Sequence, residues 1–211
     1  MLLFCGVSSS ALAQNRPTAS DGVYGRLSAD TVLSAEIGGG ISIASNPVSP
    51  TIAPTIAPTV STSLRVRALD SAGIFVFYQN AFGPTRNDAL GLGLDLRPLM
   101  LARIFQDWER GPRTLDLFID SIGLELGLSV QNIGAQWGAT SGLSWVFGAG
   151  AEVPLVWGAS TALCLRLSAR WLHSHPSDVW AATVGPNDTV SINMLLVLRT
   201  MTNVGHVGSG R

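Results

Sequence analysis

An all-β chain, closed into an antiparallel, up-and-down transmembrane β-barrel of eight strands, is the fold class this sequence predicts. Three observations carry it. First, charged residues make up 13% of the 211 positions, about half of the roughly 25% usual in soluble domains. Mean hydropathy is +0.33, yet no apolar run approaches the roughly 18 residues a membrane-crossing helix needs. Second, apolar and polar residues alternate with period two along most of the chain, as on a strand with two unlike faces. Third, the polar face consists of Gly, Ser and isolated charges, without a single Lys. A water-exposed sheet face usually carries Lys, Glu and Thr. Small residues with a few opposite charges suit a narrow barrel interior instead. In a soluble barrel or sandwich the apolar face would be the core; in a membrane barrel it meets lipid.

Residues 1–13 end in Ala11-Leu12-Ala13, an A-x-A cleavage site after an apolar stretch, and are expected to be a signal peptide with Gln14 as the mature terminus. No Lys or Arg precedes the stretch; an upstream start would supply one. Cys5 follows Phe4 rather than a small residue, which argues against a lipoprotein. Cleavage leaves Cys164 alone, so neither an intramolecular disulfide nor a zinc–thiolate site is expected. The division expected is signal peptide 1–13, N-terminal tail 14–21, β-barrel 22–200 and C-terminal tail 201–211.

The strands follow in order. Val23 to Ile43 alternates throughout, and residues 64–68, 90–97, 122–131, 143–153, 163–171 and 190–199 do the same. That makes seven, and single-chain bacterial barrels have an even number. The eighth is expected either in Thr114–Asp120 or beyond a break near Asp70-Ser71. Residues 45–63 hold Pro47, Pro50, Pro54 and Pro58 and read as a loop, because Pro cannot donate to a ladder. Residues 103–114 read as a polar connection with a helical turn, and Val156 to Ala159 as a short turn. Most of Trp108, Trp137, Trp145, Trp157, Trp171 and Trp180 fall near strand ends, where indole rings form interfacial girdles. Leu124, Leu126, Leu165 and Leu167 are expected to face outward, with Glu125 and Arg166 inside.

The polar face places ten charges in the interior: Glu36, Arg65, Arg67, Asp95, Arg97, Glu125, Glu152, Arg166, Arg170 and Arg199. They could line a selective pore. An eight-stranded barrel is only wide enough to be filled by side chains, so a paired polar network that plugs the lumen is expected. Gly38-Gly39-Gly40 and Gly91-Leu92-Gly93 lack the strand–turn–helix setting and the following Lys of a phosphate loop. A net charge of −1 without a basic cluster argues against nucleic acid binding. No metal or cofactor is implied.

Over residues 22–200 the layout resembles the small bacterial outer-membrane β-barrel proteins. The resemblance implies a bacterial outer-membrane location, outer-membrane lipid as partner and a monomer. It implies a structural, adhesive or interaction role with no specific activity evident; a narrow solute pore is another option. The chain departs from many such proteins by ending in a tail rather than on an aromatic residue. One segment, His175-Pro176-Ser177-Asp178, is also similar to the His-x-Ser-Asn motif of lipid A deacylase barrels. That similarity implies His175 as base, Ser177 as nucleophile and Asp188, the one later acid, in place of their glutamate. Pro176 and Asp178 depart from the motif, and the alternative is a polar loop at the barrel rim.

Overall fold

A computed structural model describes residues 31–45, 55–82, 87–100, 102, 118–131, 142–157, 160–174 and 188–202. The signal peptide, the N-terminal tail and residues 22–30, expected as the start of the first strand, lie outside this set, as do residues 203–211.

Eight strands follow one another: β1 (Thr31–Ser45), β2 (Thr55–Ala68), β3 (Ala72–Ala81), β4 (Asn87–Leu96), β5 (Gly123–Gln131), β6 (Gly142–Trp157), β7 (Thr161–Ser174) and β8 (Asp188–Thr202). Each pairs antiparallel with its neighbours in sequence, and β8 pairs with β1. The sheet therefore closes into an up-and-down barrel with no free edge. Stepping across paired residues from Leu33 leads through Val66, Ile74, Leu94, Leu126, Phe147, Trp171 and Val190 back to Ile43. The circuit returns to β1 ten residues further along, a stagger of the kind that goes with strands tilted by roughly 35–45°. The displacement is even, so inward and outward sides match all the way round. Every residue on that circuit is apolar and faces out.

The eighth strand is β3, which follows the break near Asp70-Ser71. Leu69 and Asp70 have φ of 49° and 53°, a left-handed pair that reverses the chain between β2 and β3. Asp is among the residues that tolerate this conformation best. Of the other option, residues 118–120 form a helical turn, and residues 114–117, like the expected polar connection 103–114, lie outside the described set. Strand β3 escapes the two-faced pattern because Phe75 and Phe77 face the interior while Ile74 and Val76 face out.

Two further expectations need correction. The proline-rich loop was expected to extend to residue 63, but β2 begins at Thr55 and contains Pro58, paired with Ile41. The Pro58 carbonyl accepts from Phe82 N at 2.8 Å, so its nitrogen also points toward the β3 side. Strand β3 ends at Ala81, and the missing donor falls at the end of that ladder, where Pro is tolerated. Likewise Val156 and Trp157 belong to β6 rather than to a turn. The register shifts between Pro154 and Val156, and this bulge absorbs Pro154 and lets pairing resume. At the other end, β8 continues through Met201 and Thr202, beyond the expected boundary at residue 200.

Outward positions carry the apolar belt. Leu33, Ile37, Leu64, Val76, Leu92, Leu126, Leu167 and Met194 are all more than 40% exposed. Leu124 also faces out, Leu165 is half-buried on the same side, and Glu125 and Arg166 are buried inside.

Candidate functional site

The barrel interior is where the chain concentrates its charge. Period two sends alternate residues inward, and eight strands leave a lumen that side chains can fill. Glu36, Arg65, Arg67, Asp95, Arg97, Glu125, Glu152, Arg166, Arg170 and Arg199 all lie there, each at most 3% exposed.

Their contacts form one connected network. Arg65 donates from Nε to Glu36 Oε1 at 2.6 Å, from Nη1 to Asp95 Oδ2 at 3.1 Å and from Nη2 to Glu125 Oε1 at 2.7 Å. Glu125 also accepts from Arg166 Nη2 at 2.7 Å and Arg170 Nε at 2.6 Å. Glu152 receives Arg97 at 2.6 Å, Arg166 at 2.8 Å, Arg199 at 3.2 Å and Arg67 at 3.3 Å. Arg67 Nε turns to Asp95 Oδ2 at 2.6 Å. Charges taken this far from water are tolerable only when paired and hydrogen-bonded.

The backbone of Glu152 is itself anchored. Strand β5 begins at Gly123, and Ser121 continues its ladder by side chain: its hydroxyl donates to the Glu152 carbonyl and accepts from the Glu152 N–H, both at 2.8 Å. Glycine supplies the space beside the guanidinium groups. A Cβ at Gly150 would stand 2.6 Å from Arg166 Nη2.

Sequence reasoning missed two parts of this interior. Asp70, in the β2–β3 turn, is buried and takes Arg97 Nη1 at 3.1 Å and Arg199 Nη2. Its sequence signal was the break at that position, where a turn Asp looks like surface until the turn folds under the barrel. The other part is apolar. Phe75, Phe77, Ala89, Val146 and Leu172 form a buried cluster inside the lumen. Ala89, Val146 and Leu172 lie near the strand ends at the rim opposite the termini. The Arg170 guanidinium sits 4.6 Å from the Phe77 ring centroid and the Arg65 guanidinium 5.0 Å from that of Phe75, so ring faces take up cationic surface the carboxylates leave uncovered. Beside this cluster, hydrogen bonds cross the lumen: Thr59 to Asn193 at 2.8 Å and Ser191 to Gln79 at 3.1 Å.

Chemically, the arrangement ties strands on different sides of the barrel together through ion pairs. Glu36, Asp95, Glu125 and Glu152 each accept from at least one guanidinium group, and the apolar cluster lies in the same lumen.

The second candidate site lies on the outside. His175 and Ser177 fall outside the described residues. Asp188, the first residue of β8, is paired across the ladder with His173, and its Oδ1 lies 2.7 Å from His173 Nδ1. The acid that the motif reading assigned to His175 is thus engaged by His173. The two side chains face outward at the rim opposite the termini, half-buried beside Trp171, whose ring centroid is 5.3 Å from that of His173. Trp145 and Trp171 are exposed on the same outer face; Trp108, Trp137 and Trp180 lie outside the described residues. Among the described residues there is no cluster of His, Cys, Asp and Glu able to hold a metal ion.

No family model and no curated protein sequence matches the chain. Solved structures of similar layout include Ail, the attachment invasion locus protein of Yersinia pestis, crystallised with the heparin analogue sucrose octasulfate (12% identity, 81% of this chain and 99% of that one, TM-score 0.45). Neisserial surface protein A is similar at 11% identity over 82% of this chain and 97% of its own, with a TM-score of 0.45. The N-terminal β-barrel domain of Pseudomonas aeruginosa OprF is similar at 11% identity over 80% and 98%, with a TM-score of 0.44.

Proposed function

We propose that the chain is an integral β-barrel of a bacterial outer membrane, with a closed interior and a structural or interaction role exercised through its rim loops. The observation that carries this reading is the contrast between the two faces of the same strands: paired charges inside, leucine, isoleucine and valine outside. An apolar band right round a soluble protein would far exceed the few hundred Å² that monomers normally expose. The dimensions agree. The nine-residue β5 is about 30 Å long and, tilted by roughly 40°, about 23 Å high, close to the apolar band of about 25 Å in such barrels.

The filled lumen favours this role over a solute pore. Arg65 and Glu125 meet across it, as do Arg67 and Glu152, and a conducting path would have to part these pairs. The connections at residues 46–54, 83–86, 132–141 and 175–187 all leave the rim opposite the termini, and in such barrels loops on one rim carry recognition.

The test has two readouts. The protein should fractionate with outer membranes and migrate as a compact, heat-modifiable band on gels, and its reconstitution into planar bilayers should give no steady conductance. Recovery as a soluble periplasmic monomer without detergent would sink the membrane assignment; steady ion-selective current would sink the closed interior. Release of acyl chains from lipid A by the wild-type protein, lost in both His175→Ala and Ser177→Ala, would replace this role by the hydrolase.

A further inference from the structure

Arg170 ends the charge network on the loop side, nearer the rim opposite the termini than Arg166 on the same strand. It is also the least compensated of the six buried arginines among the described residues. Arg65 and Arg67 each meet three carboxylates, and Arg97, Arg166 and Arg199 each meet two. Arg170 meets Glu125 alone and shares it with Arg65 and Arg166. The rest of its guanidinium lies against the Phe75 and Phe77 rings, with Nη1 donating to the Ser61 hydroxyl at 3.3 Å. Its Nη2 has no acceptor among the described residues.

Two more unbonded donors stand beside it. Asn193 on β8 pairs across the ladder with Ser168 on β7, two residues before Arg170, and both are fully buried. Asn193 Oδ1 accepts from Thr59 Oγ1 at 2.8 Å, while Asn193 Nδ2 and the Ser168 hydroxyl have no partner among the described residues. Arg170 and Asn193 thus reach the same stretch of β2, at Ser61 and Thr59. On the intervening β1 the residues level with these are Gly38 and Gly40, so no side chain stands between.

We propose that this spot binds one monovalent anion of chloride size, held by Arg170 Nη2, Asn193 Nδ2 and the Ser168 hydroxyl. A buried cation with a shared claim on one carboxylate is costly, and the anion supplies the missing charge. The unbonded groups are donors beside a guanidinium, which selects an anion over a cation. A phosphate would bring about two negative charges and more oxygens than these donors can satisfy. Asp88 and Asp120, the buried acids outside the network, stand toward the two rims.

The site lies inside the sheet, so it stands whether the outer face meets lipid or protein. Unfolding midpoints of the detergent-purified full chain are compared in sodium chloride and in sodium gluconate at equal ionic strength, gluconate being too bulky to enter. The midpoint should rise by about 5–10 °C as chloride approaches about 100 times its dissociation constant, with no rise in gluconate. Asn193→Asp keeps the acceptor for Thr59 and puts a carboxylate oxygen where the amide nitrogen stood, so its midpoint should no longer depend on chloride. Ser168→Ala should raise the chloride concentration for the half-maximal rise about tenfold. Crystals grown in bromide should show an anomalous peak between Arg170 and Asn193. Equal midpoints in the two salts, a chloride response that both variants keep unchanged, or no bromide peak overturns the anion site and leaves the barrel and its ion pairs standing.

Discussion

The inner and outer faces of the same strands obey different rules. On the outside, leucine, isoleucine, valine and methionine follow one another without fixed partners; Leu33, Ile74, Leu94 and Leu126 lie on one circuit round the barrel. In the membrane reading proposed above, their neighbour is fluid hydrocarbon, which accommodates any apolar shape. On the inside, each of the ten charged groups of the network has named partners at hydrogen-bond distance, and Gly150 is placed to clear a guanidinium. The outer face needs only a composition, whereas the inner face needs a particular set of pairs. On that reading the difference follows from what each face touches: a liquid of weak, interchangeable contacts outside, and a low-dielectric, water-poor space inside, where an unpaired charge is expensive.

That contrast can be broken at graded cost. The largest effect is expected at Glu152, which receives four guanidinium groups. Glu152→Ala should lower stability by about 3–5 kcal/mol, read as a large drop in the urea midpoint of the folded band in detergent. An unchanged midpoint would mean that water already solvates the network. Next comes a charge on the outer face. Leu126→Arg, close to mid-barrel, should cost about 2–4 kcal/mol and reduce assembly into bilayers. If it assembles like wild type, the apolar belt does not meet lipid.

Smaller effects sharpen the comparison. Gly150→Ala should cost about 1–3 kcal/mol, because Arg166, pinned by Glu125 and Glu152, cannot give way without lengthening one of those bonds. Thermal unfolding of the detergent-solubilised protein measures it, and a gain in stability would show that the guanidinium has room. The smallest effect is expected outside: Leu94→Ile should change stability by less than about 0.5 kcal/mol. A loss comparable to that of Gly150→Ala would mean that the belt packs against a protein partner.

Asp70 and Phe75 show where reading the chain stops. Alternation exposes which residues share a face, so Arg65 and Glu125 could be put on the same side of the sheet before any coordinates. It says nothing about a residue in a turn, and Asp70 joins Arg97 and Arg199 only because the β2–β3 turn folds under the lumen. Nor does it resolve a strand that is apolar on both sides, which is why β3 stayed hidden between two options. Asp188 is the same lesson on the outer surface. By sequence it could serve any preceding histidine, and the register of β7 against β8 gives it to His173. Pro58 marks the opposite error, a local rule about prolines overridden by the end of the neighbouring ladder.

By itself, then, the sequence determined the period and the chemistry of each face, because these depend on neighbours two residues apart along one strand. Only the tertiary structure decided the stagger of ten residues between Leu33 and Ile43, and with it which arginine meets which carboxylate. Those pairings link residues as distant as Arg67 and Glu152, 85 positions apart. Such contacts form only when the sheet closes, since until then their geometry depends on the register of every strand between them.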